Sequence, residues 1–329
     1  DGATRLRASL QFYRGYCLEE LNRKNEAETE ILKALDSDFR PETAEEALLA
    51  SRVLLRAKKP TRAIPILEAI TLNQIDPSAQ AWALLGRAHQ ADNTPTLALS
   101  AYNQSLFIDP DQSETRALRG SLLRQLGDLD GAAADYENAL ILNPANVALT
   151  YALGLVRFQQ GKLTAAETNI GLAAQLTPSN PGIQLLHALL AYVIDTPAAA
   201  QKALTNYLTL AGATPNESAL YLEYALNTEA TSRLEQLARR AEQPIASNSF
   251  KNYHSYCIGT LDRKAVLDNA GKAESPKVAL QQICESAYWM AQHERLTGNS
   301  AAASELFTLI SKIGNPDIPE FQFAKWQAK

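Results

Sequence analysis

The sequence has little of several residues that mark common protein classes. Three cysteines in 329 residues are too few and too far apart for a disulfide framework or a zinc site, so we expect no metal. Cys257 and Cys284 could pair in an oxidising compartment, but buried free thiols in helices are the favoured alternative. No apolar run approaches the roughly 18–20 residues that a membrane-spanning helix needs.

Methionine is almost missing as well. Met290 is the single methionine, and the chain begins at Asp1. We therefore expect that the natural start has been removed, and that any signal peptide or lipid anchor lies outside this sequence.

The chain also has no excess of positive charge. The net charge is −5, which gives no general attraction to nucleic acid or to an anionic membrane. Hydrophobic residues make up 46% of the chain and charged residues 20%, an ordinary composition for a folded protein. We therefore predict a folded chain with no nucleic-acid partner.

What the sequence does contain is a repeat. Residues 79–178 contain three consecutive repeats with a period of 34 residues, and small, aromatic and proline residues recur at the same offsets. The recurring residues of the first block are Trp82, Leu85, Gly86, His89, Ala98, Tyr102, Ser105 and Pro110. A fixed period of this length is typical of repeat architectures, in which each unit buries its apolar face against its neighbours.

Each block is predicted to be a pair of antiparallel helices. Gly86, Gly120 and Gly154 fall in the middle of a helix, where glycine costs about 1 kcal/mol and is tolerated if a neighbouring helix comes close. Prolines stop the second helix of each block. Between the two helices lie residues that accept a left-handed conformation. These residues are Asn22, Asn93, Gly127, Gly161 and Asp195.

These offsets resemble the tetratricopeptide repeat, and the resemblance implies an all-α, right-handed α-solenoid of helix-turn-helix repeats. The frame extends from Ala8 upstream to Pro215 downstream. We predict six tandem repeats in residues 1–215, a degenerate helical connector in residues 216–275, and a terminal repeat with a capping aromatic helix in residues 276–329. Helices are expected over 217–227, 229–242, 250–260 and 263–269.

The last 80 or so residues carry a narrower resemblance. The stretches 256–262, 287–291 and 296–299, followed by an aromatic helix with Phe321, Phe323 and Trp326, look like the tail of NlpI-like bacterial repeat (lipo)proteins. Ala291 and Glu294 depart from that pattern. The resemblance implies a periplasmic or membrane-anchored lipoprotein of the bacterial envelope, able to form a homodimer; a cytoplasmic protein is the alternative.

Little in the chain indicates catalysis. The four histidines are scattered, and His89 and His187 occupy framework positions of the repeat. His254 and His293 lie near Cys257 and Cys284, so an enzyme with an unrecognised Cys–His site stays an alternative. No nucleophile elbow, phosphate loop or HExxH helix is present. We predict a protein that is not an enzyme and has no cofactor.

The first helices of the repeats present one face to a groove, because positions 5, 9 and 12 of each repeat are one helical turn apart. In the resembled family this face binds partners. The groove residues that we predict are Phe12, Tyr16, Arg52, Arg56, Arg87, Arg124, Tyr151, Leu155, Phe158, Leu185, Leu189 and Tyr192.

Two alternatives stay open for this groove. Its arginines suit carboxylates of a partner, or they pair with the chain's own Glu19, Glu20 and Glu114. Its later, apolar part either binds a partner or is covered by the chain's own segment after Pro215. The sequence therefore predicts a scaffold or adaptor that binds peptides or helices of acidic-hydrophobic character. A structural component of a secretion, pilus or polysaccharide-export complex is the alternative.

Overall fold

The computed structural model describes residues 2–37, 39–72, 78–212, 217–226, 248–273, 275–313 and 319–327. Within these residues the chain is helical and contains no strand. It divides into two compact units, Asp1–Ala145 (unit 1) and Asn146–Lys329 (unit 2). None of the described helices is long and apolar enough to cross a membrane.

Unit 1 consists of four helix pairs, and the two helices of each pair pack against each other. The helices are α1 Gly2–Glu20, α2 Lys24–Asp36, α3 Ala44–Arg56, α4 Pro60–Thr71, α5 Ala79–Ala91, α6 Pro95–Ile108, α7 Ser113–Gln125 and α8 Leu129–Leu142. The first helices α3, α5 and α7 also lie side by side.

Unit 2 begins with two further pairs and continues with less regular helices. The pairs are α9 Val147–Gln159 with α10 Leu163–Leu176, and α11 Pro181–Val193 with α12 Pro197–Ala211. The later helices are α13 Glu217–Leu226, α14 Asn248–Cys257, α15 Arg263–Ala270, α16 Pro276–Leu296, α17 Ser300–Ile313 and α18 Pro319–Gln327. The predicted helix over residues 229–242 lies outside the described residues.

The turns inside the pairs confirm the helix-pair interpretation. All five predicted turn residues have positive φ, for example Asn93 at 57° and Gly161 at 73°. This left-handed conformation ends a helix and reverses the chain. Lys58 does the same at 56°, and it was not predicted because lysine rarely adopts that conformation.

The glycines in the middle of the first helices confirm the predicted close packing. A Cβ atom at Gly86 would lie 2.6 Å from the ring of Tyr102, and one at Gly154 would lie 2.6 Å from Cδ1 of Ile170. The second helix therefore packs directly on the backbone of the first. The predicted all-α solenoid of paired helices is the observed fold class.

α1 begins earlier than the repeat frame indicates, at Gly2 rather than near Ala8. α16 begins at Pro276, the first residue of the predicted terminal repeat. For α16 the reason is local, because the Ser275 side chain caps the amide of Val278 at 3.3 Å and Pro276 occupies the first turn. Asp262 caps α15 in the same way, through the amide of Ala265 at 2.7 Å.

Candidate protein-binding groove

The first helices of unit 1 form a face with a pocket of about 420 Å³. Arg52 of α3 and Arg87 of α5 line it, and Ala83, Leu84 and Leu118 supply apolar surface. The remaining lining residues are Gln80, Gln112, Ser113, Glu114 and Thr115. The face therefore combines guanidinium groups with a small apolar surface.

The two arginines of the pocket have little internal compensation. Arg87 lies 3.7 Å from Glu114, and the two side chains are 46% and 81% exposed. Such an exposed pair contributes less than about 1 kcal/mol. Within the described residues, Arg52 is exposed and has no ion pair or hydrogen bond. A carboxylate from outside can therefore bind either guanidinium at little cost.

Arg56 has a different role. Its guanidinium donates hydrogen bonds to both carboxylate oxygens of Glu19, at 2.9 and 3.0 Å, and to Glu28 at 3.0 Å. The hydrogen bond from Arg56 lowers the pKa of Glu19 below its usual value. Arg56 thus joins α3 to α1 and α2, as the internal-pairing alternative predicts, and it does not line the pocket.

The other predicted residues of unit 1 are also engaged within the chain. Phe12 is fully buried and stacks on Phe39, with ring centroids 4.1 Å apart. Tyr16 donates a hydrogen bond to Glu45 at 2.5 Å. Arg124 is half-buried near Tyr136; burial raises the pKa of Tyr136, and the Ser121 and Arg124 side chains oppose that shift. Phe12 is therefore core rather than groove surface.

The predicted apolar stripe of unit 2 is covered by the chain itself. The exposed fractions of Phe158, Leu189 and Tyr192 are 7%, 6% and 9%. Tyr151 and Leu185 are partly buried and pack against the same core, and Leu155 is half-buried. From the sequence two alternatives were possible: a stripe that binds a partner, or a stripe that the chain itself covers. In the structure Phe158, Leu189 and Tyr192 are covered by the chain, whereas Tyr151, Leu155 and Leu185 keep part of their surface exposed.

Three later helices supply the cover. Phe323 of α18 packs edge-on against Phe158, with centroids 5.5 Å apart. Trp289 of α16 lies 6.5 Å from the ring of Tyr192 and 5.3 Å from that of Tyr221 in α13. These contacts join residues far apart in the sequence, so a local pattern cannot reveal them.

Polar contacts hold the same cover in place. The hydroxyl of Tyr192 donates to Oε1 of Gln292 at 3.2 Å and accepts from Nη2 of Arg295 at 3.2 Å. The guanidinium of Arg295 also lies 5.9 Å from the centroid of the Tyr192 ring, within the range of a cation–π contact. The end of α11 is therefore fixed to α16.

The Cys284 thiol of the tail is not activated as a nucleophile. No disulfide joins the three cysteines, and Cys284 is fully buried. Burial raises the pKa of Cys284 to about 11, which leaves almost no thiolate at neutral pH. His293 packs edge-on against Tyr256, at 5.8 Å between centroids. Among the described residues, no group of histidine, cysteine and acidic side chains could hold a metal ion.

A buried ion pair in unit 1 was not predicted. Asp135 of α8 is 2% exposed and accepts two hydrogen bonds from Arg119 of α7, at 2.6 and 2.7 Å. Arg116 lies 3.8 Å from the same carboxylate. The sequence does contain a signal for this ion pair, because Arg116 and Arg119 occupy the positions that Trp82 and Leu85 occupy in the preceding repeat. Charge at such framework positions indicates a buried partner.

Comparisons with known proteins agree with this geometry. The model of a family described as tetratricopeptide repeat matches residues 48–113 and 118–181. The cell division cycle protein 27 homolog of Caenorhabditis elegans is 28% identical over 120 residues, which cover 36% of this chain. The chain spans only 15% of the length of that relative.

Solved structures are similar at lower identity. pilF of Pseudomonas aeruginosa is 19% identical, with a TM-score of 0.49 over 64% of this chain and 96% of that one. YrrB, described as a TPR protein with an unusual peptide-binding site, is 15% identical, with a TM-score of 0.48 over 59% of this chain and 97% of that one. MamA from Desulfovibrio magneticus RS-1 is 18% identical, with a TM-score of 0.47 over 52% and 96%.

Helix pairs, left-handed turns, close glycine contacts and the family match thus lead to one conclusion. Residues 48–113 and 118–181 match the tetratricopeptide repeat, a class of repeat that generally acts in protein–protein interaction.

Proposed function

We propose that this protein is a non-enzymatic scaffold that binds an acidic segment of a partner protein along the α3, α5 and α7 face of unit 1. The observation that carries the proposal is the exposed guanidinium of Arg52, which has only a through-space interaction with Glu19 and Tyr16, beside the weakly paired Arg87 in one pocket. The chain as a whole has a net charge of −5. A basic pocket in an acidic protein attracts partners selectively.

The chemistry of the pocket defines the kind of segment. A guanidinium group binds a carboxylate through two parallel hydrogen bonds, and it loses less hydration than an ammonium group. Ala83, Leu84 and Leu118 add apolar surface to the same pocket. The best-fitting ligand is an extended or helical segment with aspartate or glutamate residues on both sides of a small apolar side chain.

The setting of the protein is part of the same proposal. The tail resembles NlpI-like proteins, which supports a place in the bacterial envelope and self-association. Fractionation of cells that express the natural gene, and light scattering on the purified chain, test these two points. A purely cytoplasmic protein that stays monomeric at high concentration contradicts both.

Peptide selection tests the binding function itself. Random dodecamers displayed on phage are selected on the wild-type chain and on the Arg52→Glu/Arg87→Glu variant. We expect acidic peptides to be enriched on the wild type alone, and a synthetic copy of one selected peptide to bind more weakly as salt rises.

The control has the same change in net charge. Arg5 and Arg7 are exposed on α1 and lie outside the pocket, so the Arg5→Glu/Arg7→Glu variant should still select acidic peptides. The proposal is contradicted if the peptides selected on the wild type are not acidic. It is also contradicted if acidic peptides are enriched equally on the wild type and on the Arg52→Glu/Arg87→Glu variant.

A further inference from the structure

The C-terminal helix α18 is packed into unit 2 mainly through its aromatic side chains. Phe323 and Ala324 are fully buried, and Phe321 is 8% exposed. The ring of Phe323 contacts Phe158 of α9 at 5.5 Å and Tyr288 of α16 at 5.8 Å. A short helix of nine residues thus covers an aromatic surface of the repeat region.

The same helix buries a carboxyl group. Glu320 is 5% exposed, and within the described residues it forms no ion pair and no hydrogen bond with another side chain. Taking a carboxylate out of water without a cation is costly. Desolvation raises the pKa of Glu320 to about 7.

Within the described residues, no cation pairs with Glu320; a backbone hydrogen bond lowers its pKa, but the effect of burial is larger. On α16, Cys284 and Tyr288 interact with it, and burial raises the pKa of each, so both are neutral at pH 7. On the same helix Glu285 is acidic, and the cation Arg295 acts electrostatically on Tyr288 and donates to the hydroxyl of Tyr192. The charged groups of the other packed helices are Glu305 and Lys312 on α17, Arg157 on α9 and Lys325 on α18. Glu305 pairs with Arg263, Arg157 donates to Gln160, and Lys312 and Lys325 are exposed.

We propose that α18 is a releasable cover over a second docking surface formed by α9 and α16, and that loss of the Glu320 proton loosens it. The uncovered surface presents Phe158 and Tyr288. It fits a partner segment that carries aromatic side chains at the spacing of Phe321 and Phe323 and a neutral residue where α18 has Glu320. This proposal is independent of the pocket in unit 1.

The direction of the pH effect follows from linkage. The carboxyl group is held protonated more strongly in the covered state than in the released state, so the cover is most stable at acidic pH and weakens as the pH rises from about 4.5 to about 7. With these two values, the equilibrium constant for release increases about 30-fold between pH 5.5 and pH 8.5.

Thiol labelling measures the release. Cys284 lies beside Glu320 and is fully buried, so in the full chain with Cys17→Ser and Cys257→Ser it reacts when α18 opens. Each rate is divided by the rate of the unfolded chain at the same pH, which removes the pH dependence of the thiol itself. We expect protection of Cys284 to fall about 30-fold from pH 5.5 to pH 8.5.

Two variants test whether Glu320 causes the pH dependence of Cys284 protection. Glu320→Gln should make protection independent of pH, whereas Glu305→Gln, at an exposed glutamate of α17, should leave the 30-fold change intact. Constant protection in the parent chain, or the same change in Glu320→Gln, overturns the proposal. Should Glu320→Gln not fold, ¹³C titration of the Glu320 carboxyl in the wild type decides, since a midpoint below pH 5 overturns it as well.

A peptide tests the docking surface. The probe is a fluorescent copy of residues 319–329 with Glu320→Gln, added to the full chain that carries Phe323→Ala to weaken its own cover. We expect saturable binding that Phe158→Ala reduces at least tenfold. Failure to bind, or binding unchanged by Phe158→Ala, contradicts a docking surface under α18.

Discussion

The buried ion pair of unit 1 allows a quantitative test of how the fourth repeat is held together. Asp135 is 2% exposed and accepts both of its close hydrogen bonds from Arg119. Asp135→Ala leaves Arg119 without its charge partner. Breaking a buried pair in this way costs about 3–5 kcal/mol.

The loss of unfolding free energy that we expect for Asp135→Ala is smaller than the range for a fully buried pair. The Arg119 side chain is 23% exposed, and its Nη1 also donates to Asn103 at 2.8 Å. Water and Asn103 therefore retain part of its solvation, and we expect Asp135→Ala to lower the free energy of unfolding by about 2–3 kcal/mol. The assay is urea unfolding followed by circular dichroism, with hydrogen exchange on peptides of α7 and α8 to locate the loss.

The preceding repeat supplies the control. Leu85 and Ala101 occupy the positions of Arg119 and Asp135 there, and they are 4% and 2% exposed. The double variant Arg119→Leu/Asp135→Ala copies that apolar pair, so it should recover at least half of the lost stability. A loss below about 0.5 kcal/mol in Asp135→Ala, or a double variant as unstable as the sum of the singles, would refute this reasoning.

Three further predictions concern packing and charge. Gly86→Ala should cost about 1–3 kcal/mol in urea unfolding, because its Cβ would lie 2.6 Å from the Tyr102 ring. Gly182→Ala, whose Cβ would lie 3.5 Å from Oδ1 of Asn180, should be neutral or stabilising, and equal effects of the two substitutions would contradict the packing argument. Arg56→Gln should raise the pKa of Glu19 toward its usual value in a carboxyl NMR titration, since that hydrogen bond lowers it; an unchanged pKa would show that another group is responsible. Thermal unfolding of unit 2 should occur at a higher temperature at pH 5.5 than at pH 8, because the pKa of Glu320 is raised in the fold. The opposite order would contradict the assignment.

The regular part of the fold could be predicted because its determinants are local. A left-handed turn needs a residue such as Asn93 or Gly161, and a close helix contact needs a glycine such as Gly86. Each of these requirements restricts the residue type at one position of the 34-residue frame. Lys58 adopts the same turn although lysine does not favour the left-handed conformation, so its conformation is imposed by the packing of the helices around it.

The binding surface could be predicted only in part, because burial depends on distant residues. Arg52 and Arg56 occupy the same helix one turn apart, yet one lines a pocket and the other pairs with Glu19. Phe158 looks exposed in the repeat frame but contacts Phe323, 165 positions further along the chain. The frame defines which way a side chain points, and the tertiary fold decides what covers it.

The most direct test of the central claim is the affinity of one selected acidic peptide for the chain and its variants, measured by fluorescence anisotropy at two salt concentrations. The proposed pocket predicts that Arg52→Glu/Arg87→Glu weakens binding at least tenfold at low salt, while Arg5→Glu/Arg7→Glu changes it less than threefold. Equal loss in both double variants would show that net charge, rather than the pocket of α3, α5 and α7, attracts the peptide.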